Sequence, residues 1–130
     1  MEKIFMVSII TLNPILLESL RVKLQEDNEN NKNYVEPDIS VICDQNKITD
    51  KGCNGAPDWV IEIVSPCSKS MDYFTKLFKY SSAGVKEYWI ADPAKQRVTV
   101  YFFEMKSVEE YSFGTDIPVG IYEGFYIKVE

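Results

Sequence analysis

Three residues of this 130-residue chain have the types and the spacing to do chemistry: Asp38, Glu62 and Lys76. Glu62 sits inside Trp59 to Val64 (WVIEIV), a run otherwise apolar on both faces, which is the pattern of a central strand covered on each side. A carboxylate there is costly to bury unless it binds a metal, pairs with a cation or takes up a proton. Asp38 stands at the mouth of an earlier β-branched run, Ile39 to Cys43, and Lys76 lies on the helix that follows Glu62. Two carboxylates on adjacent strands can converge on one hard cation. Mg2+ commonly takes one or two carboxylates plus waters and substrate phosphate, and the carbonyl of Ile63 can complete the set. An ammonium nearby would orient or deprotonate the attacking water and stabilise charge developing on a phosphate. Together these are the parts for metal-assisted phosphodiester hydrolysis.

Composition removes most other chemistries. There is no histidine, which excludes Ser-His-Asp and Cys-His nucleophilic sites, histidine-ligated zinc and imidazole bases. Ser65 and Cys67 therefore read as strand-end residues and not as activated nucleophiles. The net charge is −6, from 20 Asp+Glu against 14 Lys+Arg, which argues against a strong non-specific nucleic-acid binder and leaves room only for a local basic strip. Lys69, Lys76 and Lys79 on one helix would form such a strip, with Lys69 and Lys79 as phosphate contacts. Cys43, Cys53 and Cys67 form no C-x-x-C pair, which fits a reducing cytosol better than a disulfide framework. The apolar start is broken by Asn13-Pro14, lacks the marks of a signal peptide and is too short to span a bilayer. The expectation is a cytoplasmic protein with no membrane segment. At this length, with 45 % hydrophobic residues, residues 1–130 read as a single globular domain.

The elements that must position these residues follow from periodicity and turn signals. Asn13-Pro14 suits a helix start, but Leu20, Val22 and Leu24 alternate with Arg21, Lys23 and Gln25, which favours a strand from about Ile15 to Gln25. Gln25 to Asn33 is an exposed polar turn. Strands follow at Ile39 to Cys43 and Trp59 to Val64. Ser68 reads as the N-cap of a helix reaching about Ala83, with Gly84 just past its end. At 100° per residue Met71, Phe74, Leu77, Phe78 and Ser81 share one face, Lys69, Asp72, Lys76, Lys79 and Ala83 the other, and Tyr73 and Tyr80 the border. Further strands are expected at Lys86 to Ala91, at Arg97 to Phe103 and Val108 to Phe113 as a hairpin, and at Gly124 to Val129. The fold class is mixed α/β (α+β), with a crossover helix on one face of the sheet. Trp59 and Trp89 read as core or interface, and the aromatics Tyr88, Trp89, Tyr101, Phe102 and Phe103 as either the sheet core or a dimer surface.

Each chemical reading has a plain alternative. Glu62 and Lys76 can be a structural ion pair, Asp38 a turn residue at a strand entrance, and Lys76 one of several solvated helix lysines. Tyr73 and Tyr80 can hydrogen-bond the lysine or a phosphate, or simply cover the helix–sheet border with their rings. Asp72 can pair with Lys76 at i, i+4, worth about 0.3–0.5 kcal/mol when exposed. A competing "PD" lies at Pro57-Asp58, but Asp58 is four residues before Glu62 (62 − 58 = 4). That is ~13 Å along one strand, too far to share a metal. Asp38, 24 residues earlier (62 − 38 = 24), belongs to a neighbouring strand and can lie beside Glu62.

The segments VEPDISVICD, GAPDWVIEIVSP, DYFTKLFKYSSAGVKEYWIADP and GFYIKV resemble the Uma family of putative restriction endonucleases, a branch of the PD-(D/E)XK nuclease superfamily, over about Tyr34 to Val129. The resemblance implies a restriction-endonuclease-like αβββαβ core, Mg2+-dependent cleavage of nucleic acid, and a metal site at Asp38 and Glu62. The expectation is DNA as substrate and Mg2+ or Mn2+ as the ion, with the Ile63 carbonyl as a further ligand. Val64 stands where the wider superfamily has lysine, so the resemblance places the catalytic lysine on the helix at Lys76, with Asp72 and Tyr80 supporting it. A homodimer would let two sites face two strands. Family members usually run longer at the N-terminus and carry another acidic residue there. Residues 1–20 match nothing placeable, Glu2 and Glu18 are the available stand-ins, and the chain reads as N-terminally truncated. That leaves an alternative: an inactive nuclease-fold protein acting as a binding or structural module.

Overall fold

The computed structural model describes residues 15–24, 34–65 and 70–130, with residues 15 and 70–74 described in backbone only. In chain order the elements are β1 (Ile15–Glu18), β2 (Val22–Lys23), β3 (Tyr34–Val35), β4 (Ile39–Ile42), β5 (Ile48–Thr49), β6 (Gly52–Asn54), β7 (Trp59–Ile63), α1 (Ser70–Ala83), β8 (Glu87–Asp92), β9 (Arg97–Phe102), β10 (Ser107–Ser112), β11 (Asp116–Pro118) and β12 (Tyr126–Lys128). The β-branched and aromatic runs build a six-stranded sheet in the order β1-β4-β7-β8-β9-β10. All its pairs are antiparallel except β7–β8, whose parallel alignment requires the crossover that α1 supplies. A four-stranded sheet (β3-β2-β6-β5) and a two-stranded one (β11-β12) complete this α+β arrangement.

Alternation along the central strands produces two cores, one on each face of the large sheet. Ile39, Val41, Trp59, Ile61 and Trp89 face one way and are covered by Ile117, Val119, Ile127 and Val129 from the C-terminal segment. The Trp59 and Trp89 rings meet there at 5.0 Å. Ile42, Val60 and Tyr88 face the other way, against Tyr80 of α1 and Val22, Leu24 and Cys53 of the small sheet. Tyr101 and Phe103 pack against this second core, so the aromatic strands serve the interior of the fold.

Three expectations change. The single strand over Ile15 to Gln25 is broken at Ser19, whose φ is 52°. Antiparallel pairing to β4 runs out there, where Ser19 N–H donates to the Asp38 carbonyl at 3.0 Å. Arg21 and Lys23 then turn their carbonyls to Cys53 and Gly55 at 2.8 and 2.7 Å. The last strand is shorter than expected and pairs with β11, a strand not foreseen. The small sheet was not foreseen either. Asn13-Pro14, the Gln25 to Asn33 turn, Cys67 and the Ser68 cap lie outside the described residues.

The sheet also buries Glu87 completely. Its Oε2 accepts from the indole N–H of Trp89 at 2.7 Å and the Gly120 amide at 3.1 Å, and its Oε1 from the Ile121 amide at 3.0 Å. This carboxylate ties the loop before β12 onto the face of β8. Burial is the main influence on its carboxyl and raises it above the ordinary glutamate value, against the pull of those three donors. Folding therefore penalises the ionised form. The penalty vanishes below about 4.5, where folded and unfolded chains both hold the proton, and grows as pH rises from there toward the folded value. Thermal melts of the parent and Glu87→Gln from about pH 5 to about pH 8 should show the parent losing stability relative to the variant as pH rises. A relative gain for the parent would contradict this account.

Candidate active site

Register brings the two carboxylates together. In the antiparallel β4–β7 pair Ile39 faces Ile61 and Ser40 faces Val60, so one step further along, Asp38 falls opposite Glu62. Cross-strand neighbours point to one face, and for these two it is the face that carries Val60 and receives α1. Glu62 is buried and Asp38 half-buried. The β4 ladder ends at Ile39, and Asp38 Oδ2 takes over its next position by accepting the Ile63 amide at 2.6 Å. A residue's N–H and C=O point to the same side of a strand, so the Ile63 carbonyl is directed toward Asp38 as well.

The helix contributes Lys76 and Tyr80, one turn apart. Tyr80 is wholly buried and its hydroxyl donates to Glu62 Oε2 at 2.8 Å. Lys76 Nζ lies 3.3 Å from Oε1 and 3.3 Å from Oε2 while keeping 35 % side-chain exposure. Burial pushes the Glu62 carboxyl above its ordinary range. Lys76 and the Tyr80 hydrogen bond oppose that rise, and the neighbouring Asp38 charge adds to it. The Tyr80 phenol is raised by burial first and by Glu62 second, so it remains a donor throughout the physiological range.

Here the helix face differs from the one its hydrophobic pattern predicts. Phe78, expected in the core, is 73 % exposed, and Ser81 is exposed too, whereas Tyr80 is fully buried and Lys76 turns inward. The buried Glu62 charge accounts for the rotation, since it needs a cation and a donor and outweighs the burial of one phenyl ring. Tyr80 bonds to Glu62 and not to the lysine. Lys79 is half-buried on α1. Asp72 and Tyr73 lie on α1 where only the backbone is described, and Lys69 and Glu2 lie outside the described residues.

Two acidic competitors point elsewhere. Glu18 pairs with Ile39, which puts it on the sheet face opposite Asp38 and Glu62. Asp58 sits at the far end of β7, where its carboxylate accepts the Cys43 amide at 2.7 Å and faces Lys86 at 3.7 Å. Among the described residues no three acidic or thiol side chains cluster into a metal cage. Two facing carboxylates and a backbone carbonyl suit Mg2+, which keeps several waters, and do not suit a metal needing an all-protein shell.

Comparison with known proteins gives three findings. A family model, Uma2, described as "Putative restriction endonuclease", matches residues 11–129 and so begins well ahead of Tyr34. A solved structure of a putative nuclease belonging to DUF820 from Anabaena variabilis ATCC 29413 is similar, with a TM-score of 0.64 and 24 % identity. The likeness covers 85 % of this chain and 62 % of that one, so the chain spans under two thirds of its length, and at that identity it speaks for the fold alone. No curated protein matches the sequence.

The inward turn of α1 is testable by two substitutions. Tyr80→Phe should cost about 1.5–3 kcal/mol in urea unfolding, because it removes a buried donor to a charged acceptor. Phe78→Ser should stay within about 0.5 kcal/mol of the parent. The reverse ranking would mean that the helix presents its phenyl face to the sheet.

Proposed function

This chain belongs to the Uma2 family of putative restriction endonucleases, and from that membership we infer that it is a Mg2+- or Mn2+-dependent endonuclease hydrolysing DNA phosphodiester bonds. One observation carries the reading: Asp38 and Glu62 face each other on the sheet surface that also receives Lys76. Asp38, Glu62 and the Ile63 carbonyl are the residues to hold the ion. Once bound, it would supply Lewis-acid stabilisation for the charge developing on the phosphate. The chain's own residues do the remaining work. Tyr80 fixes the orientation of Glu62 by its hydrogen bond. Lys76 is exposed enough to present its ammonium to the attacking water or a phosphate oxygen. Asp72, four residues before Lys76, steadies that lysine, and Lys69 and Lys79 contribute positive charge for the DNA backbone.

We further propose that the whole chain is one domain and works as a homodimer, so that two sites meet two strands. No helix among the described residues is long and apolar enough to cross a membrane. The free thiols of Cys43 and Cys53 support a reducing, cytoplasmic setting.

A second reading rests on the same site. Both Glu62 oxygens already have partners in Lys76 and Tyr80, as they would in a purely structural ion pair of an inactive, module-like protein. Plasmid nicking with Mg2+ and Mn2+ separates the two. On the nuclease reading the folded parent cuts, Asp38→Ala and Glu62→Ala abolish cutting, and Lys76→Ala lowers the rate by about 10²–10³-fold. Cutting by Asp38→Ala at the parental rate would refute the assignment, and a folded parent that never cuts would favour the structural reading.

A further inference from the structure

We infer that the outer face of the small sheet is a second DNA contact, in which Arg21 clamps a backbone phosphate and Tyr34 holds Arg21 in place. The inference rests on the nuclease reading above. Val22, Val35 and Cys53 share one side of this sheet, and Val22 and Cys53 are buried in the core beside α1. Alternation sends Arg21, Lys23, Tyr34 and Asn54 to the other side. Register sets Tyr34, Lys23 and Asn54 in one row across β3, β2 and β6. Arg21 lies one step along that face, and its guanidinium carbon sits 4.1 Å from the centroid of the Tyr34 ring.

The backbone that carries this arginine is fixed. Its carbonyl accepts the Cys53 amide at 2.8 Å. Gly52, with φ of 126°, lies so close that a Cβ there would collide with the Arg21 carbonyl oxygen. Glu36 extends the β2–β3 register to the place opposite Arg21, yet Arg21 is in none of the ion pairs among the described residues. A guanidinium held over an aromatic ring face still has N–H groups to offer a planar, bidentate acceptor such as a phosphate. Preorganisation lowers the entropy lost on binding. In a chain of net charge −6, backbone affinity must come from such fixed local cations.

The clamp is joined to the carboxylate site through the backbone. Tyr34 precedes Asp38 by four residues (38 − 34 = 4), so β3 leads through Glu36 and Pro37 into the strand that carries the site. Ser19, two residues before Arg21, is hydrogen-bonded to the Asp38 carbonyl at 3.0 Å, which couples the position of the clamp to the site.

Fluorescence anisotropy with a labelled DNA duplex in EDTA, at several salt concentrations, tests the clamp apart from cutting. Arg21→Gln should weaken binding about tenfold at low salt. It should also reduce the slope of log K against log salt by about 0.9, the loss of one phosphate contact. Tyr34→Ala should weaken binding and Tyr34→Phe should restore it. Arg97→Gln, at the far edge where Arg97 pairs with Glu110 at 2.9 Å, should bind as the parent does. Thermal melts matching the parent would show each variant folded. If Arg21→Gln binds and cuts as the parent does, the clamp is wrong and the nuclease reading stands. If the folded parent neither binds nor cuts DNA, both fall together.

Discussion

A negative charge inside the central strand is the constraint on which this structure turns. Glu62 occupies a position where strand neighbours and helix exclude water, so its carboxylate must be neutralised from within. Lys76 and Tyr80 meet that need from a single helix, one turn apart. Their demand sets the rotation of α1 and leaves Phe78 facing solvent. Asp38 compounds the problem, because it adds a second negative charge on the same face. An arrangement that draws two carboxylates together raises its own electrostatic cost and is stabilised by whatever cation arrives.

The other buried carboxylate shows what a structural solution looks like. Glu87 is as deeply buried, and its acidity is perturbed in the same direction. Yet its partners are an indole and two backbone amides, all fixed donors, and it tethers a loop to the sheet. Glu62 differs in the kind of partner it has. It is met by a half-exposed lysine, with a second carboxylate and a directed backbone carbonyl on the same face. Perturbed acidity alone does not separate the two residues, whereas the surrounding donors and charges do.

Much of this was readable from the residues. The runs ISVIC and WVIEIV give β4 and β7 nearly to the residue, Gly84 with φ of 100° closes α1, and the Asp38–Glu62 apposition follows from placing those runs side by side. The small sheet was not readable, because strands of two or three residues are shorter than the window that period-2 alternation needs. The break at Ser19 was hidden for a related reason: Leu20, Val22 and Leu24 alternate correctly but serve a different sheet from β1. The observed helix face departs from the hydrophobic pattern because that periodicity counts Phe78 and takes no account of a buried charge across the interface. Glu87 gave no local sign, since two of its donors lie 33 and 34 residues away in sequence.

The central claim is that Asp38 and Glu62 form one ion site with the Ile63 carbonyl, and a crystal soaked in Mn2+ tests it most directly. The account predicts an anomalous peak between the two carboxylates in the parent, lost in Asp38→Asn. A crystal of a cleavage-competent protein whose Mn2+ peak lies elsewhere, with Glu62 still bound only by Lys76 and Tyr80, would contradict it.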